Sequence, residues 1–143
     1  MMVDFREKFN IPELTMFETE YWIWSLRPHQ ATIGAGILSL KRECASFSDL
    51  NPEEHCDLNT IIKVIEKTLK NVFEYDIMNY LMLMMVDKQV HYHVIPRYEH
   101  PVEAFNEIWH DSAWPGLPNL AGVKLEASKL TSISMLIKNQ IIS

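Results

Sequence analysis

The chain has 143 residues, 48% of them apolar and 22% charged, which suits one globular domain with a hydrophobic core rather than a disordered segment. Its net charge of −6 at pH 7, with His neutral, argues against a protein held to nucleic acid or to an anionic membrane by bulk charge. The longest apolar run, 80–86, is too short to span a bilayer, and the charged start Met1-Met2-Val3-Asp4-Phe5-Arg6-Glu7-Lys8 lacks the apolar stretch of a secretory signal.

No membrane or nucleic-acid partner is therefore expected. Cys44 and Cys56 have no metal-type spacing and suit a reducing compartment, so the expected location is cytoplasmic. In chain order, 14–19 and 21–26 read as two strands joined by a polar turn near Glu18–Glu20. Trp22 and Trp24 alternate with Ile23 and Ser25 on the second. Segment 27–32 reads as a loop, because Pro28 turns Arg27 away from helix. Gly34 and Gly36 then open a third strand over 37–41.

The clearest helix spans 51–73. Asn51 is a good N-cap, Pro52 fits the first helical position, and Glu53 and Glu54 suit the positive end of the dipole. Leu58, Ile61, Ile62, Ile65, Leu69 and Val72 form one apolar stripe, with Lys63, Glu66, Lys67 and Lys70 opposite it. Two more strands are expected, 77–86 and 90–96, joined as a tight hairpin at Asp87-Lys88. After Pro96 the chain turns irregular and aromatic, through Trp109 and Trp114-Pro115-Gly116. A last amphipathic stretch, 125–141, places Leu130, Ile133, Leu136 and Ile137 on one side. The expected architecture is a single α+β domain over 1–143: an antiparallel sheet of about five strands, one long helix packed on it, and an aromatic C-terminal tail.

The chemistry concentrates on one strand face. Side chains two apart on a strand point the same way, so Gln89, His91 and His93 line one side, with Val90, Tyr92 and Val94 on the other. Buried imidazoles need partners, and three readings fit the spacing. They are satisfied or surface histidines, or two ligands of a metal site completed by Asp111 or His110, or a reactive pair.

The longer string Gln89-Val90-His91-Tyr92-His93-Val94-Ile95-Pro96-Arg97 resembles the histidine triad signature, His-φ-His-φ-His-φ-φ-Pro-Arg with φ apolar. Upstream, Gly34-Ala35-Gly36-Ile37-Leu38-Ser39-Leu40-Lys41-Arg42 resembles the family's glycine-led strand ending in a basic pair. Phe47-Ser48-Asp49-Leu50-Asn51-Pro52-Glu53-Glu54 resembles its approach to the long helix, so the likeness covers about 14–98.

The resemblance implies an antiparallel sheet with a long helix, usually paired as a homodimer, acting on nucleoside phosphates without a metal or other cofactor. It also implies a covalent nucleotidyl-histidine on the middle histidine, here His91, which water resolves. His93 is placed to donate to a phosphate oxygen or the leaving group. Asn79, opening the preceding strand, would offer an amide to the same phosphate. An imidazole is substantially unprotonated near neutral pH, and a covalent intermediate divides one hard displacement into two.

The sequence departs from the pattern at several positions. The first histidine is replaced by Gln89, which hydrogen-bonds but does not titrate in this range. The hexose-1-phosphate uridylyltransferase branch carries Gln at the third position. Here that position is His93, which leans toward hydrolysis. Ala35 stands where the family often has His, and Arg27 falls where an Asp or Asn commonly holds ribose hydroxyls. A guanidinium suits phosphate or carboxylate better than a diol. The connection before the triad is also expected to be short. Trp109 and Trp114 either stack on a base or cover a core edge. The rival functions are a nucleotide-binding module without turnover and a His-based metal-binding protein.

Overall fold

The computed structural model describes residues 1–141; the last two residues of the expected 1–143 domain lie outside it. In chain order the elements are α1 (Met2–Lys8), β1 (Thr15–Glu18), β2 (Trp22–Leu26), β3 (His29–Gln30), β4 (Gly36–Leu40), α2 (Pro52–Phe73), β5 (Ile77–Leu81), β6 (His91–Arg97), β7 (Val102–Ala104), β8 (Glu107–Trp109), β9 (Val123–Lys124) and α3 (Ala127–Asn139). The main sheet runs β1-β2-β4-β6-β5, antiparallel throughout, with small pairs β3-β9 and β7-β8 beside it. The fold is α+β with a five-stranded main sheet, as expected.

Local chemistry sets the long helix. The Asn51 side chain accepts from the Glu54 N–H at 2.9 Å while the Glu54 carboxylate accepts from the Asn51 N–H at 2.9 Å, a reciprocal box at the N-terminus. The Arg42 guanidinium forks onto the same buried carboxylate at 2.8 and 2.9 Å and holds the Glu54 carboxyl below its ordinary range. Ile61, Ile65 and Leu69 are fully buried, packed with Trp22, Trp24, Leu26, Leu38 and Leu40 from the sheet. Leu130, Ile133 and Ile137 of α3 join this core at successive helical turns. Gly36 is required at its position, because a Cβ there would lie 2.8 Å from the Ser25 carbonyl and 2.9 Å from Trp24 Nε1.

Three expectations need correction. The strand expected over 77–86 ends at Leu81, and β6 starts at His91, so the Asp87-Lys88 hairpin does not form. The joining segment 82–90 is a long excursion rather than a short loop: Met85 is 85% exposed and Val86 80%, while Met82 and Met84 pack against the main core and Val90 is fully buried. An apolar run was sufficient to suggest a strand, but with no partner strand to pair it stays out of the sheet. Within the expected loop 27–32, His29–Gln30 pairs with β9, a long-range contact with no local signal. At the start, Phe5 and Phe9 form an i, i+4 apolar pair that seats α1 and the residue following it on the sheet.

Candidate functional site

Register assigns the sheet's two faces. Ile23 pairs with Ser39 and Ser39 with His91; Ser25 pairs with Ile37 and Ile37 with His93. Directly opposed residues share a face, so these side chains look away from α2. Arg27 continues the row, its N–H bonded to the Ala35 carbonyl at 2.9 Å. This face is covered by Phe5, Phe9 and Ile11, which pack with Ile23 and Ile37.

His91 is fully buried and His93 is 7% exposed, their ring centroids 5.0 Å apart. Phe5 lies 5.0 Å from the His91 ring, and Phe9 lies 6.2 Å from that of His93. The nitrogen chemistry of His91 follows from its one partner. Nδ1 lies 2.5 Å from the Gln89 backbone carbonyl, which only accepts, so Nδ1 carries the proton and Nε2 the lone pair. Nε2 is buried with no hydrogen-bond partner, and so is Nδ1 of His93. Burial pushes the His91 imidazole below its ordinary range, against the opposing pull of the Gln89 carbonyl. Burial, then the Arg27 charge, then His91, push His93 down to about 4. Both rings are neutral near pH 7.

The expected site residues do not all converge. The Gln89 side chain is fully buried at the sheet end: Oε1 accepts from the Cys44 N–H at 3.0 Å, and Nε2 donates to the Leu40 and Arg42 carbonyls at 3.0 and 2.8 Å. Its backbone carbonyl, rather than its amide side chain, reaches the histidine. The Asn79 carbonyl oxygen accepts from Arg97 at 3.0 Å. Arg97 in turn forms a buried pair with Asp111 at 2.7 Å, and Asp111 also accepts from the Tyr98 N–H. Asn79 thus belongs to a structural cluster that ties β5 and β6 to the tail. With Asp111 committed there, it is no third metal ligand; no group of three or more His, Cys, Asp or Glu suited to a metal occurs among the described residues.

A cavity of about 630 Å³ borders His93 and Arg27. Its walls include Lys8 and Phe9, Pro28, Leu83 and Met85 of the excursion, and Leu120 from the tail. Lys8 bridges to Asp87 at 2.7 Å, linking the end of α1 to the 82–90 segment. Neither Trp109 nor Trp114 lines this cavity, and of the two expected roles Trp109 takes that of covering a core edge. Trp109 packs against the main core and donates to the Ala104 carbonyl at 3.0 Å. Phe5, Lys8, Phe9 and Asp87 are the site-lining residues that sequence reasoning missed; the Phe5–Phe9 spacing was the available signal.

A main antiparallel sheet with α2 and α3 on one face and two neutral histidines on the other defines an α+β domain whose candidate site lies on the sheet face opposite the long helix. The HIT domain family model matches residues 11–100, more than half of the chain, and the chain belongs to that family. Its fold is similar to a hypothetical histidine triad nucleotide-binding protein of Sulfolobus tokodaii, at 15% identity and TM-score 0.72, covering 90% of this chain and 83% of that one. A histidine triad protein of Bradyrhizobium japonicum gives 16% identity and TM-score 0.68, with 97% and 95% covered. The Plasmodium falciparum diadenosine triphosphate hydrolase gives 17% identity and TM-score 0.67, with 91% and 77% covered. No curated protein sequence matches. No helix among the described residues is long and apolar enough to cross a membrane.

Proposed function

We propose that this protein is a nucleotide phosphate hydrolase or nucleotidyl transferase that works through a covalent nucleotidyl-histidine on His91. The observation that carries the reading is the tautomer fixed by the Gln89 carbonyl, which leaves a neutral nitrogen with a free lone pair at Nε2. In the first step Nε2 attacks the α-phosphorus, an N–P bond forms, and the bond to the leaving group breaks. Neutral His93 donates a hydrogen bond to a phosphoryl oxygen, and solvent water supplies the proton that the leaving group needs. Water then attacks the same phosphorus, its proton passes to solvent, the N–P bond breaks, and Nε2 regains its lone pair. No step needs a metal or other cofactor.

The reading includes a homodimer and a cytoplasmic location. Among candidate substrates are dinucleoside polyphosphates, nucleoside phosphoramidates and adenylated compounds. One observation favours a second reading, a nucleotide-binding module without turnover: Phe5 stands against His91, whose ring has no exposure. Under the enzyme reading α1 must shift before phosphorus reaches Nε2. Intact-mass spectrometry after rapid, acid-free quenching with adenosine phosphoramidate or diadenosine polyphosphate separates the two. The enzyme gives an adenylyl adduct mapping to His91 and missing from His91→Ala; binding without any adduct selects the module.

A further inference from the structure

Arg27 is 8% exposed, and the one hydrogen bond its side chain makes is from Nη1 to the His29 carbonyl at 2.9 Å. Its Nε is buried with no partner, and the guanidinium forms no ion pair among the described residues. Arginine does not shed its proton inside a protein, so the site holds a full positive charge withdrawn from water without a counter-ion. A lone buried charge is costly, and such a charge persists where something of opposite sign is to be bound. The acid lining the adjoining cavity, Asp87, is engaged by Lys8 at 2.7 Å.

Placement separates this cation from the nucleophile. Arg27 and His93 line the cavity, whereas His91 does not. The Ala35 contact puts Arg27 one row beyond the Ser25–Ile37–His93 row, on the side away from His91. An anion held on Arg27 in the cavity is therefore a different group from a phosphorus attacked by His91 Nε2. The cavity volume lies within the range that small-molecule ligands occupy, and Pro28, Leu83 and Leu120 give it apolar walls.

We infer that the ligand carries a second anionic group, held by Arg27 in this cavity, beyond the phosphorus that reacts at His91. The inference rests on the nucleotide reading above and narrows it to nucleotides with at least two separate anionic groups. A further phosphoryl group of a polyphosphate chain and a phosphate on the ribose share this chemistry.

Calorimetric titration of the full chain with AMP, ADP and adenosine 3′,5′-bisphosphate tests it, with inorganic phosphate and pyrophosphate as probes lacking a nucleoside. Either ADP or the bisphosphate should bind at least about tenfold tighter than AMP, and the tighter one identifies which source of charge the site takes. Arg27→Gln should bring that ratio close to one, and Arg27→Lys should keep part of it. Equal affinities in the natural protein, or an undiminished ratio in a folded Arg27→Gln, would overturn the inference. If no adenosine ligand binds but pyrophosphate outbinds phosphate through Arg27, the nucleotide reading falls and the second-anion site stands. If none of the probes binds, both fall.

Discussion

The two faces of the main sheet are built on opposite terms. On the α2 side, Trp22, Trp24 and Leu38 meet Ile61, Ile65 and Leu69, and the Trp22 indole N–H finds the Glu54 carbonyl at 2.8 Å. Six buried side-chain polar atoms in the described residues have no hydrogen-bond partner. Five of them belong to Thr15, Ser25, Arg27, His91 and His93, all in the rows of the histidine face; the sixth is Trp24 Nε1. Unsatisfied buried polar groups each cost free energy, so their concentration is informative. One face is optimised for packing, and the other leaves buried polar atoms unpaired, which is where we place the proposed ligand.

The strongest way to break this contrast is a pair of substitutions read by two assays. His91→Ala should reduce hydrolysis of adenosine phosphoramidate by roughly 10⁴- to 10⁶-fold, the scale for losing a nucleophile, with little change in melting temperature. Leu69→Ala should lose about 2–5 kcal/mol of stability, measured by denaturant unfolding, while the folded fraction keeps its rate. An active His91→Ala protein would mean that the histidine face is not the catalytic one.

Gln89→His sharpens the same contrast. By sequence alone this change restores the triad, and should raise the rate if Gln89 is an impaired histidine or lower it if Gln89 is a specificity device matched to Arg27. The structure gives Gln89 three hydrogen bonds that an imidazole cannot reproduce, and the Cys44 N–H would be left buried and unpaired. The expected result is a loss of roughly 2–4 kcal/mol in chemical denaturation and no gain in turnover. A stable variant with a faster rate would return Gln89 to the substrate side.

The smallest of these effects is carried by pH. His93 has a folded pKa of about 4 against an ordinary 6.5, so between those values the unfolded chain binds the extra proton. Its contribution is complete above pH 6.5, declines as pH falls, and is gone near pH 4. At 1.36 kcal/mol per unit this is about 3 kcal/mol, with buried His91 acting in the same sense. Denaturation midpoints should drop across that window, and His93→Gln should flatten the drop. A curve as steep in the variant would assign the loss to carboxylates instead.

What could be read from the sequence was written in local chemistry. Asn51 and Glu54 announce the start of α2 within four residues, and the α2 stripe announces its buried face. The string around His91 and His93 pointed to the family, whose model matches residues 11–100. Other features were not written locally. Residues 82–86 are apolar yet form no strand, with Leu83, Met85 and Val86 exposed, because strand formation needs a partner and not only hydrophobicity. The seven-residue α1 is too short to display a period, although Phe5 and Phe9 seal the site. The group that orients His91 is a backbone carbonyl, which every residue possesses, so residue identity at position 89 gave no hint of it. Arg27 stood out by its type, but only burial without a counter-ion shows its charge to be unpaired.

The buried pair between Arg97 and Asp111 redraws the boundary of the domain. The family match stops at residue 100, yet Arg97 is the last residue of β6 and its carboxylate partner lies beyond that limit. A fragment cut at 100 would lose this buried pair together with the tail chain that carries its carboxylate. It would also remove Leu130, Ile133 and Ile137 from the main core. A fragment ending at 100 should therefore be less stable in denaturant unfolding than the full chain. Expression fragments for labelling or crystallisation need the tail through α3, however little of the chemistry it carries.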